Sequence, residues 1–109
     1  MASEVLKVKL HATLSNSEAD ILTVASGKTA TILSITLCET AGAAETIDLF
    51  IQDDGGATDY EILSDQAIGA NETFELTTKF VIEGTDHLCA ATADSAAVHT
   101  VVSYLDQTR

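Results

Sequence analysis

A period of two runs through almost the whole chain, and no other feature constrains its fold as strongly. Leu6, Val8, Leu10, Ala12 and Leu14 alternate with Lys7, Lys9, His11 and Thr13. Successive side chains of a strand point to opposite faces, so this pattern predicts a first strand with one apolar and one polar face. Ser15-Asn16-Ser17-Glu18-Ala19-Asp20 is a polar break. Ile21, Leu22 and Val24 form a short strand closed by the turn Ala25-Ser26-Gly27-Lys28. Leu33, Ile35 and Leu37 then alternate with Ile32, Ser34, Thr36 and Cys38, and the β-branched residues in this stretch favour an extended chain.

The second half repeats the pattern. After Thr40-Ala41-Gly42-Ala43-Ala44, Ile47, Leu49 and Ile51 alternate with Thr46, Asp48, Phe50 and Gln52. Asp53-Asp54-Gly55-Gly56-Ala57-Thr58-Asp59 is the strongest turn signal. Tyr60, Ile62 and Leu63 predict a short strand, and residues 68–72 a loop. Phe74-Glu75-Leu76 and Phe80-Val81-Ile82 follow. Residues 87–91 and 97–105 read as a terminal hairpin around Thr92-Ala93-Asp94-Ser95. Eight or nine short strands with turns every 8–12 residues predict an all-β antiparallel sandwich or barrel. Residues 1–14 are read as an N-terminal strand or arm, and residues 15–109 as the single β-domain.

Composition removes several function classes. Seventeen acidic residues against five basic ones leave a formal net charge of −12, so no basic face is available for nucleic acid or for an anionic membrane surface. At 46% hydrophobic the chain is too apolar for a disordered acidic tail. No apolar run reaches the roughly 18–20 residues of a membrane span. Met1 to Lys7 show no basic-then-apolar leader, so synthesis in a cytoplasm is expected, and Cys38 and Cys89 fit that compartment as small buried hydrophobes. The chain has no proline, the residue that often blunts strand edges, so charge or a neighbour has to protect them.

Candidate chemistry is sparse. The Asp53–Asp59 loop is rich enough in oxygen to consider Ca²⁺, but it lacks the EF-hand alternation and reads as a solvated turn. In the expected terminal hairpin, Cys89 would lie beside His99, as a nucleophile pair or half a metal site. No Gly-rich oxyanion loop accompanies that pair, and the bland reading is a chance cross-strand neighbour. Carboxylates are plentiful, but a sugar cleft normally offers aromatic faces, and two Tyr and three Phe are scattered over separate strands. The expectation is a non-enzyme with no cofactor and no metal. Lys7 and Lys9 share one face of the first strand, either as a solvated face or as a site that docks on an acidic patch of a neighbouring copy.

Five phrases stand in a fixed order along the chain. They are Leu22-Thr23-Val24-Ala25-Ser26-Gly27-Lys28-Thr29-Ala30 entering Ile32-Leu33-Ser34-Ile35, and Ala41-Gly42-Ala43-Ala44 before Ile47-Asp48-Leu49-Phe50-Ile51. Residues 67–76, residues 81–88 and the closing Val101-Val102-Ser103-Tyr104-Leu105 complete the set. Together, over about residues 21–105, they resemble small virion structural proteins of tailed bacteriophages. The resemblance implies a β-sandwich, often jelly-roll-like, used as a head decoration (cement) or tail-associated module, with no catalytic residues to carry over. The expected location is therefore a virion, assembled after synthesis in the host cytoplasm. The expected partners are the major capsid protein or other virion proteins, and copies of the chain itself in a homotrimer. The expected contact residues are Leu6, Lys7, Val8, Lys9 and Leu10. A tail or fibre component and a small carbohydrate- or ligand-binding module are the alternatives.

The charge makes its own prediction. A trimer carries about −36, and like-charge repulsion opposes assembly. Self-association should strengthen with salt up to a few hundred millimolar, where the screening length falls to roughly 5–8 Å. Sedimentation at two salt concentrations checks this, and weakening with salt would contradict it.

Overall fold

The computed structural model describes residues 3–55, 58–94 and 98–108. Among these, nine strands form two antiparallel sheets packed face to face: β1 (Ser3–Leu14), β2 (Ala19–Thr23), β3 (Lys28–Glu39), β4 (Glu45–Gln52), β5 (Asp59–Ile68), β6 (Thr73–Leu76), β7 (Phe80–Glu83), β8 (His87–Thr92) and β9 (Val98–Thr108). Sheet A runs β1-β9-β3-β6, with β7 also paired to β3, and sheet B runs β2-β8-β4-β5. β6 pairs with residues 35–38 of β3 and β7 with residues 29–32, so the two share one strand position. The nine strands thus fill eight positions in the order of a jelly roll, as the all-β reading and the resemblance led one to expect.

Alternation builds the core. Ile32, Ile35 and Leu37 of β3, Ile47 and Leu49 of β4, Leu88 of β8, and Val98 and Val102 of β9 are buried between the sheets. Each such side chain contributes about 1.5–3 kcal/mol by leaving water. One phase differs from expectation. Ile32, not Leu33, shares the inner face with Ile35 and Leu37, because the β3–β9 register shifts between Ile32 and Ser34. A bulge with Leu33 as the extra residue resolves two adjacent apolar side chains that strict alternation would have sent to opposite faces.

The terminal hairpin does not form. β8 lies in sheet B between β2 and β4, and β9 lies in sheet A between β1 and β3. The Thr92 N–H donates to the Ser15 carbonyl (2.8 Å) and the Ala93 N–H to the Thr46 carbonyl (3.2 Å), which leads the chain away from a β8–β9 ladder. β5 is also longer than the expected Tyr60–Leu63 strand and ends in buried Ile68. Its pattern is masked by irregular pairing with β4 and by Asp65, at φ +50°, whose N–H donates to Asp48 Oδ1 (2.7 Å).

A buried carboxylate ties the loops at one end, and a tight backbone turn closes the other. Buried Glu39, the last residue of β3, accepts N–H bonds from Ala41 (2.9 Å), Gly42 (2.9 Å), Ala43 (3.2 Å) and Asn71 (3.1 Å). One carboxylate therefore holds the β3–β4 turn and the β5–β6 turn together, and nothing in the alternation marked it. At the other end, Lys28 N–H closes the turn onto the Ala25 carbonyl (3.1 Å), with Gly27 at φ +81°. Gly84 lies so close to this turn that a Cβ there would overlap the Ala25 carbonyl.

The N–H bonds, that of Asn71 first, hold the Glu39 carboxyl below the ordinary carboxylate range despite its burial. A depressed native pKa stabilises fully above the unfolded value and stops doing so as pH falls through the native one. Glu39→Gln should lower the Tm by about 5–10 °C at pH 7, with a gap that narrows below pH 4. Thermal melts of both proteins from pH 3 to 8 check this.

Candidate interaction surface

Among the described residues β1 is an edge strand hydrogen-bonded only to β9, and its side chains take their direction from that partner. β9 turns Val98, Thr100 and Val102 inward, so Val101, Ser103 and Leu105 face out. Leu6 lies opposite Leu105, Val8 opposite Ser103, and Leu10 opposite Val101. The apolar face of β1 therefore points away from the core: Leu6 is 73% exposed, Val8 57% and Leu10 67%. Its polar face points inward, with Lys7 opposite Tyr104 and Lys9 opposite Val102.

The same ladder continues into rows across the sheet. Leu105 faces Thr31, which faces Val81 of β7 (55% exposed). Ser103 faces Ser34, and Val101 faces Thr36, which faces Glu75 of β6. The next row is His99, Cys38 and Thr73. Beyond Leu6, a rim row holds Glu4, Gln107, Thr29 and Glu83. The middle of this outer face is thus apolar or hydroxyl-bearing, and its charges lie at the margin. A shallow groove of about 330 Å³ lined by Leu10, His11, Ala12, His99, Thr100 and Val101 ends it.

Under β1, Lys7 and Lys28 meet Asp106. Lys7 Nζ lies 2.8 Å and Lys28 Nζ 3.4 Å from Asp106 Oδ2. The Lys7 hydrogen bond, with the charge of Lys28 behind it, holds the Asp106 carboxyl below its ordinary value, and the same contact raises Lys7. Lys7, one of the two lysines considered for a neighbour's acidic patch, is thus engaged within its own chain. With Leu22, Val24, Ala30 and Tyr104 these groups line a cleft of about 240 Å³ between the sheets.

The outer face of sheet B is different in kind. One row reads Asp20, Cys89, Phe50 and Glu61, and the next Thr23, His87, Gln52 and Asp59. Glu61 is pushed up by burial first, then by Asp48, Asp59, Asp65 and Glu18. His87 Nδ1 lies 3.4 Å from Asp20 Oδ2 and 3.3 Å from Thr23 Oγ1.

The expected Cys89–His99 pair is not formed, because the two residues sit in different sheets. His99 is opposite Cys38 instead. Buried Cys89 donates to Asp20 Oδ1 (3.2 Å), and burial, reinforced by Asp20, pushes its thiol up to about 12. The acidic loop begins as a 3₁₀ turn over Asp53–Gly55, and Gly56 and Ala57 lie outside the described residues. Asp54 is engaged by its neighbours: its N–H donates to Asp86 Oδ1 (3.2 Å), and the Thr85 hydroxyl donates to its carboxylate. Among the described residues no three His, Cys, Asp or Glu side chains gather where a metal ion would be held.

No protein-family model matches the chain, and no curated protein sequence does. Solved structures do. A chain from the acid-stable capsid of Helicobacter pylori bacteriophage KHP30 superposes with a TM-score of 0.55 at 13% identity, over 100% of this chain and 99% of that one. A chain of infectious bursal disease virus, Gx strain, gives 0.57 at 10% identity, over 98% of this chain and 32% of that one. The CBM22-1 xylan-binding domain of Paenibacillus barcinonensis Xyn10C gives 0.51 at 12% identity, over 98% and 85%. At such identities the likeness is one of fold.

The two cysteines should part chemically. At pH 8, half-buried Cys38 on the outer face of sheet A should react with a maleimide well before Cys89, which should label only after unfolding. Mass spectrometry of digests over a labelling time course checks the order.

Proposed function

We propose that the protein is a virion structural component, of the capsid-decoration (cement) kind, bound at junctions between capsomers. The observation that carries this reading is the contrast between the two outer faces of one sandwich. One carries carboxylates on β2, β4 and β5, with Phe50 and Cys89 buried, and the other, bordered by a long edge strand, leaves Leu6, Val8, Leu10 and Val81 more than half exposed. The likeness of fold to a phage capsid chain and the resemblance of several phrases to tailed-phage virion proteins support it. A module of this shape acts by adding buried interface between shell subunits that internal DNA pushes apart. Each contact is modest, and symmetry multiplies it.

In this reading β1 is the contact element, and residues 1–14 act as the segment that meets a neighbour. Leu6, Val8 and Leu10 supply apolar surface, and Lys7 and Lys9 lie along the same unpaired edge. Addition of a neighbour's strand to that edge covers backbone groups that are otherwise open. The proposed partners are the major capsid protein and further copies of this chain, three around an axis. A tail- or fibre-associated role would use the same fold and the same edge.

Electron microscopy of the parent particle, with the protein labelled, tests the reading. Density on the head between capsomers is the expected result. Label on the tail would move the assignment to the tail reading. Absence from purified particles, together with sub-millimolar binding to a xylan or other glycan, would overturn both in favour of a carbohydrate-binding module, as the third fold neighbour is described.

A further inference from the structure

We infer that the apolar outer face of sheet A is covered by a second copy of this chain. The charges are unevenly placed. Asp20, Asp48, Asp59 and Glu61 stand on the outer face of sheet B, with Glu18 and Asp65 close enough to raise Glu61. Two copies of a −12 chain that meet through that face would press carboxylates together and strip them of water. The β3–β4 and β5–β6 loops at one end are organised around buried Glu39, and the opposite end carries Asp53, Asp54 and Asp86.

The outer face of sheet A is where two copies can approach without that penalty. From Leu6 to Cys38 its rows hold Leu6, Leu105 and Val81, then Val8 and two serines, then Leu10 and Val101. Among the described residues of this face the acids are Glu4 and Glu83, in the row beyond Leu6, and Glu75, on the border strand β6. Pairing this face with itself removes large exposed apolar side chains from water, leaves the rim wet, and turns both acidic faces outward. Their mutual repulsion is then screened across two sandwich thicknesses.

The area agrees with this occupant. Strands about 4.8 Å apart and same-face residues about 6.8 Å apart give a face of roughly 500 Å², hence about 1,000 Å² buried by a pair. That is the lower end of specific interfaces. It fits a concentration-dependent contact between identical chains that symmetry repeats in an assembly. The inference rests on the chain's own surface and does not need the virion reading.

Analytical ultracentrifugation of the full chain from 1 to 500 μM tests it. The wild type should associate within this range. Leu6→Lys and Leu10→Lys, each on an already exposed position, should raise the half-association concentration at least tenfold while leaving the circular-dichroism melt close to wild type. Glu61→Gln, on the opposite face, should not weaken association. Maleimide labelling of Cys38, which lies on the same face, should slow as the wild type associates and not in Leu10→Lys. A wild type that stays monomeric at 500 μM, or an oligomer indifferent to both lysine variants, would overturn the inference. Protein that is absent from particles yet associates through this face would reject the virion reading and leave the pairing standing.

Discussion

The antiparallel ladder between β3 and β9 is the contact on which the rest of sheet A depends. It runs from Lys28 opposite Thr108 to Glu39 opposite Val98, and every other strand of the sheet hangs from one of these two. Its phase decides which residues of β9 enter the core. Those in turn decide which residues of β1 face in or out, since β1 has no other partner in the sheet. A single bulge at Leu33 keeps Ile32 and Ile35 both inward. Without it one end of the ladder would be turned over relative to the other.

That dependence explains what could be read from the chain and what could not. Each strand is a local pattern, so the sandwich, the turn at Ala25–Lys28 and most strand positions were legible from alternation. Pairing is not local. Residues 87–91 and 97–105 look like a hairpin because they are adjacent and both apolar, yet each fits the middle of a different sheet. Leu6, Val8 and Leu10 are expected contact residues, but alternation alone does not give the direction of their face. An apolar face reads as a core face until the partner strand shows that its own inner side is already assigned. Glu39 was invisible for another reason: one buried carboxylate between two small-residue turns has no period, and its four N–H partners come together only once both turns are folded.

The two outer faces show how a strongly acidic chain can still present an apolar surface. Its carboxylates are not spread evenly. Several cluster near Glu61, whose carboxyl is pushed up by burial first and then by the charges of Asp48, Asp59, Asp65 and Glu18. The lysines are used sparingly. Lys7 and Lys28 converge on Asp106 where β1 crosses the open end of the sandwich, and fasten an edge strand that carries little core of its own.

The division of one strand position between β6 and β7 has a consequence for growth. Residues 77–79 interrupt that border of sheet A, so no long incoming strand finds a continuous ladder there. β2, the corresponding border of sheet B, is only five residues long, and β5 is bent by its irregular pairing and lined with acids. β1, twelve residues long, is the border with real templating length. A body with one such border can join a partner and stop there. In a β-protein without proline, short, interrupted and bent borders limit strand addition where proline often does so elsewhere.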